Sequence, residues 1–131
     1  MNTKDITYKI RGCAYNVYKE LGPGCLENVY EEALTYELLQ AGFDVKRQLE
    51  VPIIYRGQQL ATPLRLDIIV NDTVIVELKA VQDLLPVHYK QLYSYLKLAN
   101  KEVGILINFY VPNIFDGMKT VYAQDPHWDN N

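Results

Sequence analysis

Several residue types that would place this sequence in a special class are scarce or absent. The 131 residues include only two cysteines, Cys13 and Cys25, which form neither a CxxC zinc pair nor a disulfide framework. Both are expected as small core residues. Uncharged apolar runs such as Ile68 to Val70 and Gly104 to Ile107 fall far short of the ~20 residues that cross a bilayer. The opening Met1-Asn2-Thr3-Lys4-Asp5 is not followed by an apolar segment of signal length, so a cytoplasmic location is the expectation. Basic residues are outnumbered, with 13 Lys and Arg against 16 Asp and Glu and a net charge of −3. That balance disfavours a general coat for DNA or an anionic membrane, which needs clustered cations. It leaves room for a carboxylate site, which makes a chain acidic while presenting bound cations to a phosphate.

What is present has the make-up of one globular domain, 49% apolar and 22% charged. A chain of this size buries roughly two-thirds of its unfolded surface in a single core. Residues 1–123 are expected to form that domain and residues 124–131, with His127 and Trp128, a polar tail. Ile6, Ile10, Cys13, Ala14, Val17 and Leu21 recur at spacings of three and four and predict a helix closed by Gly22-Pro23-Gly24. A second helix is predicted from Leu26 to Gln40, with Leu26, Val29, Tyr30, Ala33, Leu34 and Leu38 on one side and Gly42 past its end. The period then changes to two, through Val45, Leu49, Val51, Ile53 and Tyr55, with a short segment at Gln59 to Thr62. Leu64 to Val70 and Thr73 to Ala80 read as a hairpin, Pro86 to Ala99 as a helix, and Val103 to Phe109 as a buried strand. The expected order is ααβββ(β)αβ, an α/β domain.

Charge sits inside the predicted hairpin, where burial is costly unless the charge is paired or ligates a metal. Glu77 and Lys79 are two apart on one strand and share a face. A two-residue Asn71-Asp72 loop would pair Asp67 with Val76, whereas a three-residue connection or a bulge pairs Asp67 with Glu77. The second register is expected. It gathers Leu66, Ile68, Val70, Val74, Val76 and Leu78 on one apolar face and Arg65, Asp67, Glu77 and Lys79 on the other. Opposed carboxylates repel, and a shared proton, a basic neighbour or a divalent cation relieves them. Lys79 is such a neighbour, and oxygen ligands suit magnesium or manganese. His88, Gln91 and Tyr95 form a stripe on the third helix, and Glu27, Tyr30 and Glu31 one on the second.

Asp67 followed by Glu77-x-Lys79 resembles the D…(D/E)xK core of the PD-(D/E)xK nuclease superfamily, and Gln91-x-x-x-Tyr95 is similar to the QxxxY motif of its RecB-like branch. Gly24-x-x-Glu27-x-x-Tyr30 is similar to the signature of the GxxExxY proteins, and the resemblance extends over roughly Ile6 to Val121. It implies a restriction-endonuclease-like fold with a mixed sheet of four to five strands flanked by helices. It implies a nuclease in which Asp67, Glu77, Glu27 and the Leu78 carbonyl hold one or two Mg²⁺ or Mn²⁺ ions and Lys79 orients the attacking water. Gln91 and Tyr95 would position ligands or phosphate, Tyr30 and His88 would act from behind, and Glu31 is the reserve ligand. The implied partner is nucleic acid, DNA or RNA, with no membrane, and so short a core leaves room for a second copy or another protein to help bind it. The alternative is a silent nuclease-fold module that binds nucleic acid or a protein. From spacing alone, a solvated salt-bridge ladder also accounts for Asp67, Glu77 and Lys79.

Overall fold

The computed structural model describes residues 1–125. The expected tail therefore lies largely outside the described residues. Asn2 opens helix α1 (Thr3–Leu21) by accepting the Asp5 N–H on its side-chain oxygen at 2.9 Å, with Asp5 in the first turn and Lys19 in the last, as the helix dipole favours. Helix α2 (Glu27–Gln40) follows, then strands β1 (Val45–Val51), β2 (Ile54–Tyr55), β3 (Gln58–Gln59), β4 (Leu64–Val70) and β5 (Val74–Lys79). Helix α3 (Pro86–Ala99) leads to β6 (Val103–Asn108), a 3-10 turn at Ile114–Gly117 and β7 (Met118–Tyr122). No helix among the described residues is long and apolar enough to cross a membrane.

The main sheet runs β1-β4-β5-β6-β7, with β5 and β6 parallel and the other neighbours antiparallel; β2 and β3 form a separate ribbon. Parallel β5 and β6 need a crossover, which α3 supplies. One core lies between the sheet and α1 and α2, built from Ile10, Leu34, Leu38, Ile68, Val76 and Ile105 among others. A second lies under α3, where Leu92, Tyr93 and Leu96 meet Leu66, Ile69, Ile75 and Leu106. The sheet is buried on both faces, which is why its central strands are apolar almost throughout.

The outer elements depart from the sequence-based expectation. β7 was not expected, because its buried residues Met118 and Val121 are three apart and show no period of two. On α2, Leu26 and Val29 are exposed, and the buried line is Tyr30, Glu31, Leu34 and Leu38. Cys13 is buried as expected, while Cys25 is only half-buried at the rim of the first core.

The predicted apolar face of the hairpin also needs correction. Leu66 packs with the α3 core, whereas Ile68 and Val70 pack with the α1/α2 core. β1 switches at the same level, since Val45 sits on the first core and Leu49 and Val51 on the second. Between them Gln48 has φ 49° and drops out of the ladder that pairs Arg47 with Ile68 and Leu49 with Leu66. That left-handed residue rotates both strands, so inward and outward positions exchange there.

β7 is held close to β6 at Gly117. A Cβ built on Gly117 would stand 2.2 Å from the Asn108 carbonyl oxygen, a backbone atom with no freedom to retreat. Gly117→Ala is therefore expected to destabilise the protein by about 3 kcal/mol in urea unfolding. An unchanged midpoint would show that β7 does not need this approach.

Candidate active site at the fork of the sheet

The connection between β4 and β5 is the three residues Asn71, Asp72 and Thr73, and the ladder pairs Val70 with Val74 and Ile68 with Val76. This register, continued by one step, sets Asp67 opposite Glu77 as expected. There the strands stop pairing: β4 continues beside β1 as far as Leu64, and β5 continues beside β6 as far as Lys79. The sheet forks at these two residues. Their side chains fill two gaps, because the Leu78 N–H, which faces β4, donates to Asp67 Oδ2 at 2.9 Å, and the Asp67 N–H, left without a ladder partner where Gln48 drops out of β1, donates to Glu77 Oε2 at 2.8 Å. Each carboxylate thus uses one oxygen as a backbone substitute and keeps the other outside these two bonds. In an extended strand the N–H and C=O of a residue point the same way, so the Leu78 carbonyl also faces the fork. The next carbonyl, of Lys79, turns to β6 and accepts the Phe109 N–H at 3.0 Å.

The face expected to be polar and wet is covered by α3. Glu77 is 4% exposed. Burial, and then the charge of Asp67, push its carboxyl up to about 8, against the opposing pull of the Asp67 N–H and Lys79. Asp67 is also raised, first by burial and then by the negative charges of Glu31 and Glu27, with the Leu78 N–H acting against them. From α3, Gln91 Oε1 accepts from Lys79 Nζ at 3.2 Å. Tyr95 is half-buried, and its phenol is raised by burial and by the negative charge of Glu77 and Asp67. Gln91 thus reaches Lys79 from α3, and Tyr95 stands within electrostatic range of both carboxylates. His88 does not join them, because its Nδ1 accepts the Leu85 N–H and caps its own helix. Arg65 leaves the group as well, turning outward to Glu50 in an exposed ion pair of little energetic weight.

On α2 the three acids and aromatics of the stripe separate. Glu31 is buried and clamped by Arg47 at 3.1 Å and by Gln48 Nε2 at 2.7 Å. Glu27 is exposed in the first turn, near enough to be felt by Asp67. Tyr30 is wholly buried and stacked on Phe109 with centroids 4.1 Å apart. Its hydroxyl donates to the Gly22 carbonyl and accepts the Cys25 N–H, so it fixes the turn that leads to Glu27.

Three participants were missed in the sequence. Gln48 reads as an ordinary solvent-facing residue, whereas Arg47 stands in phase with Val45, Leu49 and Val51, and a backbone kink turns both to Glu31. Asn108 ends an apolar strand, and its side chain bonds both the N–H and the C=O of Val81, at 3.1 and 2.8 Å, fixing the chain just beyond Lys79. Arg47 on the apolar phase of β1 was the available clue for the kink, and a lone Asn closing an apolar run was the clue for Asn108.

The donor set can be tested against a hard divalent cation. Two crowded carboxylates and a backbone carbonyl offer oxygens alone, and burial makes their negative charge costly without a counter-ion. Among the described residues no group of three or more His, Cys, Asp or Glu closes a cage. The residues fit an open site whose remaining ligands are water or phosphate.

The raised Glu77 also sets a pH dependence. Unfolded, Glu77 loses its proton near 4.5, while folded it keeps it to about 8. Between those values the native state binds more protons, so stability falls as pH rises through that window. Without added metal, the thermal midpoint is expected to fall from pH 4.5 to 8 and Glu77→Gln to flatten the fall. A rising midpoint in the wild type would contradict the assignment.

Comparison with known proteins bears on the family and the fold. A family model described as PD-(D/E)XK nuclease superfamily matches residues 4–121. The crystal structure of SSO0001 is similar at 25% identity and a TM-score of 0.57, over 86% of this chain and 61% of that one. This chain therefore spans about three-fifths of that protein. No curated protein matches the sequence. With a mixed five-stranded sheet between helices and the match covering nearly all of the described residues, the chain belongs to the PD-(D/E)XK nuclease superfamily.

Proposed function

We propose that the protein hydrolyses nucleic-acid phosphodiester bonds with Mg²⁺ or Mn²⁺ held by Asp67, Glu77 and the Leu78 carbonyl. Within the superfamily it is placed with the GxxExxY proteins of the RecB-like branch, on Gly24, Glu27, Tyr30, Gln91 and Tyr95. The observation that carries the reading is the fork, where two carboxylates are pinned by backbone N–H groups beside a strand-end lysine. A cation bound there polarises the phosphoryl group and lowers the pKa of a bound water.

The chain's own groups account for the rest. The locks on Asp67 and Glu77 hold the carboxylates in place before substrate arrives, so little ordering is left to the reaction. Lys79, steadied by Gln91, orients the attacking water and offsets charge building on the phosphoryl oxygens. Glu77 keeps a proton at neutral pH until the site is loaded. Glu27, from the turn fixed by Tyr30, is the acid of α2 placed to complete the site, because Glu31 is already committed to Arg47 and Gln48.

Calorimetric titration of Mn²⁺ is expected to give saturable binding that Asp67→Asn abolishes. Across a panel of DNA and RNA substrates, Lys79→Ala is expected to lower cleavage at least about 100-fold while the variant stays folded and still binds Mn²⁺ saturably. Equal cleavage by Lys79→Ala would overturn the role of the lysine. Nucleic-acid or protein binding without turnover by the wild type would assign the fold to a silent module.

A further inference from the structure

The outer face of α1 contributes to neither core, yet it carries a shaped surface. Tyr8 is 77% exposed, and Tyr15, seven residues on, lies along the same line of the helix. Phe115, from the 3-10 turn, is 53% exposed and stacks on Tyr15 with ring centroids 5.5 Å apart and 20° between planes. Lys19 lies 5.5 Å from the centre of the Tyr15 ring. Between the tyrosines is Gly12, where a Cβ would meet nothing within 4 Å. No packing demand inside the fold explains that glycine, which costs about 1 kcal/mol in a helix interior. Its effect is to lower the helix surface, and a groove of about 620 Å³ opens there, lined by Tyr8, Lys9, Arg11, Gly12, Tyr15 and Phe115 among others.

The charge of this face runs against that of the whole chain. α1 carries Lys4, Lys9, Arg11 and Lys19 against Asp5 and Glu20, in a protein of net charge −3. The charged residues lining the groove, Lys9 and Arg11, are both basic. The Arg11 guanidinium donates to the Thr120 hydroxyl, which steadies its fork and leaves further N–H donors for a phosphate. Glu37 stands nearby, but its carboxylate accepts from Asn16 Nδ2 at 3.2 Å.

We propose that this groove binds single-stranded nucleic acid, taking unstacked bases over Gly12 between Tyr8 and the Tyr15–Phe115 pair, with backbone phosphate at Lys9 and Arg11. The proposal rests on the reading of nucleic acid as the substrate. Seven residues rise about 10 Å along a helix, which accommodates one or two bases at a spacing of about 3.4 Å. Aromatic rings accept any unpaired base by its face, whereas a duplex hides those faces. A strand lying along α1 passes Lys19 towards the Gly22–Gly24 turn, beyond which Glu27 opens α2.

The test is fluorescence anisotropy of the full chain in EDTA with a labelled 20-nucleotide single strand, as DNA and as RNA, and the matching duplex. Single strands are expected to bind at least tenfold tighter than duplex, and the DNA and RNA arms identify the preferred sugar. Tyr8→Ala and Gly12→Leu are each expected to weaken binding about tenfold, while Tyr8→Phe is expected to retain it. Gly12→Leu should melt no lower than wild type, because leucine is the better helix former and its Cβ has room. Arg11→Gln should lower the dependence of affinity on salt by about one phosphate contact. Unchanged affinity in Gly12→Leu, equal affinity for duplex, absence of single-strand binding, or groove variants that change only self-association would each overturn the proposal. The two readings fail separately. Cleavage with no effect of Gly12→Leu on affinity would remove the groove and leave the fork, and Gly12-dependent binding without cleavage would do the reverse.

Discussion

When two antiparallel strands part, the backbone groups they release must find other partners or water, because a buried N–H without an acceptor costs about as much as a lost hydrogen bond. In this protein β4 and β5 part at Asp67 and Glu77 and Gln48 leaves the β1 ladder at the same level, so the Asp67 carboxylate accepts the freed Leu78 N–H and the Glu77 carboxylate accepts the freed Asp67 N–H. The exchange fixes the width of the fork. It also places two acidic groups where the sheet and α3 limit hydration, so Glu77 is pushed up to about 8. Structural need and chemical capacity reside in the same two bonds.

The surrounding elements hold that fork open. Gln48, at φ 49°, turns β1 and β4 over together and is held at its side chain by the buried Glu31. Asn108 pins Val81 on the β5 side, and Tyr30 ties the α1–α2 turn between its hydroxyl bonds and the Phe109 ring. A left-handed glutamine within a strand carries roughly 1 to 2 kcal/mol of strain, and its side chain is held there by the bond to Glu31. Strain at this level of the sheet, beside Asp67, is the pattern seen where backbone geometry serves a site.

The helices and the central hairpin were legible from apolar spacing and turn residues, and of the two registers left open by the Asn71-Asp72 turn the one that sets Asp67 opposite Glu77 is found. Asp67, Glu77 and Lys79 stood out as charge within apolar strands, and Gln91 and Tyr95 as a helical stripe. Other features depend on contacts that no local pattern encodes. The exchange of faces at Leu66 follows from one dihedral angle in β1, and β7 is an edge strand that pairs without alternating. His88 shares the spacing of Gln91 and Tyr95 but lies in the first turn, where an unpaired backbone N–H is the nearer partner. The two α2 acids look equivalent by spacing, and the kinked β1 is what engages Glu31 and leaves Glu27 exposed.

The central claim is that the forked sheet holds two carboxylates ready for one hard cation. Anomalous diffraction from a crystal soaked in Mn²⁺, with data collected at the manganese edge, addresses it most directly. The account predicts a peak between the Asp67 and Glu77 carboxylates, on the side of the Leu78 carbonyl, that is missing in Asp67→Asn. Full manganese occupancy elsewhere on the protein, with both carboxylates bonded only to the Asp67 and Leu78 N–H groups, would contradict it.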